Sequence, residues 1–159
     1  RPKLAWRRMA HGLGRRCNMD IALELDFADG RYRFDLTPLH IIELQEKTGK
    51  GIIQLCADVQ AGIYKQSDGT LVPLLEEGRA GWLDIREPIR LAMIGGNAGF
   101  VDGKEIEVGP MKASALCASY VDTRPLIETW ALAAGILAAR ILGHEPKKKA
   151  DPVKEEGEA

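Results

Sequence analysis

The stretch IALELDFADGRYRFDLTP, residues 21–38, decides the fold class. Ile21, Leu23, Leu25 and Phe27 occupy alternate positions, with Ala22, Glu24 and Asp26 between them. Successive side chains of a strand point to opposite faces, so this spacing makes a half-buried strand. Ala28-Asp29-Gly30 supplies a turn, with Gly30 free to take a positive φ. Tyr32, Phe34 and Leu36 then alternate with Arg31, Arg33 and Asp35, and the whole reads as a β-hairpin. At Thr37-Pro38 the period changes. Threonine suits a helix N-cap and proline the first helical position, so a helix follows the hairpin directly.

Leu39, Ile42 and Leu44, with Ile41, form the apolar side of that helix, and Gly49 stands at its C-cap. A second helix spans about Ile52 to Gln60 and closes at Gly62, with Leu55, Cys56 and Val59 on one side and Ile52 above them. Ser67-Asp68-Gly69-Thr70, between Ile63-Tyr64 and Leu71-Val72, admits a small second hairpin. Asp84 is placed to cap a third helix, with Glu87 in the capping-box position and Pro88 in its early turns. Leu91, Ala92 and Ile94 form its apolar portion and Gly95-Gly96-Asn97 ends it. Residues 101–108 read as a turn and one short strand, stopped by Gly109-Pro110. A fourth helix covers about Met111 to Tyr120 and the last about Arg124 to Leu142, begun by Asp122-Thr123. Leu126, Trp130, Leu137 and Ile141 make the stripe of the last helix. The fold class is therefore α+β and mostly helical: an N-terminal hairpin, about five helices and a small optional second hairpin.

The flanks differ from this body in composition. Residues 1–18 carry six basic residues and no acid. We expect a basic extension outside the fold, with Met19 a natural start for the strand that follows. No apolar run after its arginines makes a secretory signal. From residue 146 the chain is rich in charge and proline, a composition that buries too little surface to offset ordering entropy, so a disordered charged tail is expected over 146–159. Residues 19–145 are then one globular domain, with twelve basic and nineteen acidic residues and a net charge of −7. An acidic body with few aromatics is unlike a nucleic-acid surface. Glu128 and Arg140 interrupt the last helix, whose apolar run falls short of the ~20 residues of a membrane span. Cys17, Cys56 and Cys117 are too sparse for a disulfide framework and point to a reducing, cytoplasmic setting.

Catalytic chemistry has no foothold in this pattern. The glycine-dense 95–99 segment lacks a following Lys-Ser/Thr and comes after a helix, unlike a phosphate loop. His11, His40 and His144 stand at no metal-ligand spacing. Cys56 and Cys117 read as buried free thiols, and a pairing of either with His40 has no sequence support. Glu76-Glu77, Glu105 and Glu107 read as solvated faces. No enzyme, cofactor or metal is expected. Trp130 belongs to an apolar stripe and reads as core. Trp82, between glycines and the third helix, is the candidate partner contact; its structural alternative is a hydrophobic staple on that helix.

The order of elements carries a resemblance. The hairpin around GRYRFDLT (30–37) leads to the Leu39–Gly49 helix ending EKTG, then to a short helix around Leu55. A helix ending AMIGG (92–96) and a terminal helix containing Pro125-Leu126, ALAA (131–134) and Ile136-Leu137, closed by Leu142-Gly143, complete the series. Over residues 20–145 this resembles the gene transfer agent family of small phage-derived tail proteins, described as tail tube proteins and grouped with tail assembly chaperones. The 98–110 segment stands out as an insertion in that pattern.

The resemblance implies a non-enzymatic tail assembly chaperone. Its partners would be the tape-measure protein, held by a helix-in-groove mode, and tail tube subunits. The alternative it implies is a permanent structural tail component, a tube or terminator subunit. It also raises a frameshifted longer form, for which Lys147-Lys148-Lys149 marks a candidate codon run; a solubilising lysine cluster is the plainer reading.

Overall fold

The computed structural model describes residues 19–145. The basic extension with Cys17, the charged tail and Lys147-Lys148-Lys149 lie outside the described residues. Strands β1 (Leu23–Phe27) and β2 (Gly30–Phe34) form the expected hairpin, with Leu25 opposite Tyr32 and Phe27 opposite Gly30. Helix α1 (Pro38–Thr48) is capped as expected: the Thr37 hydroxyl accepts from the His40 N–H, and Gly49 takes the left-handed conformation. Helix α2 (Ile52–Gln60) follows, and β3 (Ile63–Lys65) pairs with β4 (Leu71–Pro73) as the second hairpin. After a short 3-10 turn come α3 (Trp82–Gly96), β5 (Gly99–Val101), β6 (Lys104–Ile106), α4 (Pro110–Tyr120) and α5 (Ile127–Leu142). The α+β, mostly helical class stands.

Several expectations change. Gly30 does not supply the positive φ; Ala28 does, at 54°. Gly30 is small for another reason: a Cβ there would lie 2.4 Å from the Phe100 carbonyl oxygen. The segment taken for one strand and an insertion is a β5–β6 hairpin that completes an antiparallel sheet in the order β1-β2-β5-β6. Asp102 and Gly103 make its turn, both at positive φ. The sequence signal was weak because each strand has three residues, too few to show a period. On α1 the inward side is Leu44 with Ile41, while Leu39 and Ile42 are exposed. Helix α5 begins at Ile127, after a turn over 121–123, and not near Arg124.

Helix α3 is the centre of the packing. It touches β2, α1, α4 and α5, and Ile85, Ile89, Leu91, Ala92 and Met93 are buried along it. Its C-terminal end lies against β2 with almost no space between main chains. A Cβ on Gly95 would stand 2.0 Å from the Asp35 carbonyl oxygen, and one on Gly96 would stand 2.0 Å from that of Arg33. The Asp35 N–H bonds the Ala92 carbonyl across the same contact. These two glycines therefore permit close approach, and Asn97, in the left-handed region, ends the helix.

The remaining core follows from the stripes. Trp130 is buried as expected, and its Nε1–H donates to the Val59 carbonyl at 2.8 Å. Gly62 and Gly78 line its ring. Phe27 meets Tyr32, Phe34 and Tyr120 with edge-on or tilted rings, tying the hairpin to α4. At the two ends of the described chain, Asp20 and His144 exchange both main-chain hydrogen bonds at 2.9 Å.

Candidate functional site: the amino end of α3 and its surroundings

Helix α3 starts two residues before the expected cap. Gly81 is its N-cap, Trp82 and Leu83 open the first turn, and Asp84 is the third helical residue. Asp84 reaches back to accept the Gly81 N–H at 2.8 Å, so it serves the helix start from inside. Its carboxylate is nonetheless buried, because Lys50 Nζ approaches it to 2.6 Å and also meets Asp58 at 2.9 Å. Hydrogen bonds donated to Asp84, then Asp58, hold the Lys50 ammonium above the ordinary lysine range. One lysine from the α1–α2 turn thus fastens α2 to α3.

Glu87 does not cap; it anchors a chain of alternating charges. Lys47 meets Glu43 at 3.6 Å, Glu43 meets Arg90 at 3.1 Å, and Arg90 meets Glu87 at 2.7 Å. Glu87 then meets Arg86 at 3.0 Å, and Arg86 forks onto both oxygens of Asp122 at 2.7 and 3.1 Å. This spine runs from α1 across α3 to the turn before α5. Both oxygens of Glu87 accept from arginine within it. The spacing that could have signalled it is Arg86, Glu87 and Arg90 amid the apolar residues of the third helix.

The thiols fit a structural role. Cys117 is fully buried, and burial pushes it up to about 11, with Arg86 pulling the other way. Burial also raises Cys56. His40 hydrogen-bonds the Thr37 hydroxyl at 2.7 Å, the cap of its own helix. Among the described residues, no group of three His, Cys, Asp or Glu side chains is arranged to hold a metal ion. Among the same residues, no helix is long and apolar enough to cross a membrane.

What the region offers outward is apolar surface. Tyr64, Leu71, Leu74, Leu75, Trp82 and Leu83 are all large and exposed, and all lie between residues 64 and 83. Trp82 keeps 45% of its surface in solvent and is absent from the side chains packed on the core. Beside this segment, a depression of about 570 Å³ runs between Gln60, Tyr64, Glu76, Glu77 and Arg79. Glu76, Glu77, Glu105 and Glu107 are exposed, as expected. A second depression, about 600 Å³, lies on the outer face of the sheet among Glu24, Arg31, Arg33, Phe100 and Glu105. Both are open and carry charges of both signs.

The family model for phage tail tube protein, GTA-gp10, matches residues 20–143. The chain belongs to this phage tail tube family. No curated protein and no solved structure matches it. The match begins at the bridge that Asp20 makes and runs through the β5–β6 hairpin to the end of α5, so the elements described above are the family's portion of the chain. The family places the protein among phage and gene transfer agent tail components.

Proposed function

We propose that this protein is a permanent structural component of a phage-like tail, in or on the tail tube, and that it acts by binding other tail proteins and not by catalysis. The observation that carries the reading is the family match over 20–143. The internal use of the α3 charges and the exposed apolar residues of 64–83 support a role in contact. Trp82 is the residue we assign to a partner contact, because its ring is large, exposed and outside the core.

A second reading, the tail assembly chaperone that holds the tape-measure protein in the cytoplasm and is then shed, is favoured by one feature. The sheet is small for a tube wall: its strands have three to five residues, and helices supply most of the regular structure. Quantitative mass spectrometry of purified mature particles separates the two. Copy number comparable to the other tube proteins supports the permanent component. Absence from mature particles, with co-purification of the tape-measure protein from tail-less assembly intermediates, supports the chaperone. Absence from both overturns both.

A further inference from the structure

Strand β1 closes the four-stranded sheet on one side, and the register tells which main-chain groups lie on its outer edge. The Arg33 N–H bonds the Ala98 carbonyl, so the main chain of Arg33 turns toward β5 and that of Tyr32 and Phe34 toward β1. Main-chain groups alternate in direction along a ladder. Tyr32 and Phe34 face Leu25 and Leu23, so the N–H and C=O groups of Glu24 and Asp26 point away from the sheet. Among the described residues, the contact found there is a long one, 3.4 Å from the Arg31 guanidinium to the Glu24 carbonyl. The edge is closed only further back, where Ala22 gives its N–H to the Asp20 carboxylate and its carbonyl meets the His144 ring.

Natural edges are guarded by lysine, proline, a bulge or shortness. The other edge strand, β6, is three residues long and begins with Lys104. By contrast β1 has five residues and no lysine, proline or bulge, and the charges that guard it are acidic alone. Its solvent face is acidic, with Glu24 and Asp26 both exposed, and no lysine or arginine occurs between residues 19 and 30. The arginine opposite Glu24, Arg33, is turned to Asp35 instead. The apolar face of the strip is also incompletely covered: Ile21 and Leu25 are each 36% exposed.

We propose that the β1 edge, open among the described residues, is a docking strand that takes an extended segment of another protein, one in which apolar residues alternate with lysine or arginine. Main-chain bonds to Glu24 and Asp26 give the attachment, the carboxylates select the basic residues, and Ile21 and Leu25 receive the apolar ones. Charge argues against a second copy as the occupant. Two β1 strands paired antiparallel about Leu25 set Glu24 against Asp26 twice. Pairing β1 with β6 of another copy brings the same acids toward Glu105 and Glu107. The inference stands whether the protein remains in the particle or leaves it.

The test is amide hydrogen exchange by NMR on the full chain with two synthetic peptides, VKVRVKV and its counterpart VEVEVEV. We expect the basic peptide to slow exchange at Glu24 and Asp26 by about tenfold or more, with no change at β3–β4, and the acidic one to do nothing. Asp26→Pro removes an outward N–H without touching a ladder bond and abolishes the effect. Should that variant fail to fold by circular dichroism, Glu24→Gln with Asp26→Asn serves, and protection by the basic peptide drops. Three results each overturn the proposal: no protection by the basic peptide up to about 1 mM, equal protection by the acidic peptide, or protection that rises with protein concentration alone, which assigns the edge to a second copy.

Discussion

The two ends of α3 are held by opposite means. The carboxyl end meets β2 main chain to main chain, through two glycines that leave no room for a methyl group. The amino end meets α1, α2 and the α4–α5 turn through side-chain charges, and leaves a tryptophan in solvent. A contact between backbones is fixed in shape and admits one geometry. A contact through long charged side chains is adjustable, provided that no charge is stranded. The lesson is that one helix can be rigid where it builds the fold and adaptable where it meets others.

Gly96→Ala tests the rigid end hardest. Its Cβ would meet the Arg33 carbonyl oxygen at 2.0 Å, and backbone has to move. We expect a loss of about 3 kcal/mol or more, seen as a large fall in thermal midpoint. Unchanged stability would break the comparison, since the close approach would then not be real. Glu87→Ala tests the charged end. It takes one of two carboxylate partners from each of Arg86 and Arg90, which keep Asp122 and Glu43 and some access to water, so we expect about 2 kcal/mol by urea titration. Glu87→Gln is expected to cost less, because it keeps an acceptor for the guanidinium groups.

Cys117 reports whether the charged end is sealed. The folded thiol ionises near 11, above its ordinary value of 9.0. A raised folded value means that the unfolded chain loses its proton first. Stability is therefore full below about pH 9 and falls as pH rises toward 11, by at most about 1.4 kcal/mol per pH unit. Tyr32, raised by burial and then by its bond to Asp29, pushes in the same direction at higher pH. The check is denaturation across pH 8–10.5 in wild type and Cys117→Ala; a slope no different between them removes the claim. Trp82→Ala sharpens the comparison with the smallest effect. Stability should drop by less than about 1 kcal/mol, while co-purification with tail partners falls. A larger drop would make Trp82 part of the core.

Much of this was legible because periodic patterns are local. The β1–β2 alternation, the Thr37-Pro38 helix start and the α2 stripe each lie within a few residues and needed no partner to be read. The β5–β6 hairpin was hidden because its strands are shorter than a readable period. Gly95, Gly96 and Asn97 do end the helix as expected, but the close approach of the two glycines to β2 was hidden, because only the neighbouring strand shows it. The role of Glu87 was missed for a related reason. The arginines it joins have their other partners, Glu43 and Asp122, far away in sequence, and a capping motif explained Glu87 locally. Leu39 and Ile42 looked like core because hydrophobicity marks a stripe without saying which edge of it faces solvent. The exposed segment at 64–83 was half seen, through Trp82 alone.

The bridge between Asp20 and His144 brings the two ends of the described chain together, one residue in from each. That proximity makes the molecule a candidate for rewiring. In a version cut to residues 19–145, a few glycines could join the two points, and new ends could be opened at the exposed β3–β4 tip, Asp68-Gly69. Such a permutant keeps every strand pairing of the sheet while moving both attachment points across the surface. A reporter fused there would stand beside Tyr64 and Leu71 instead of beside β1, giving engineers of phage-like particles a choice of which side of the protein carries cargo.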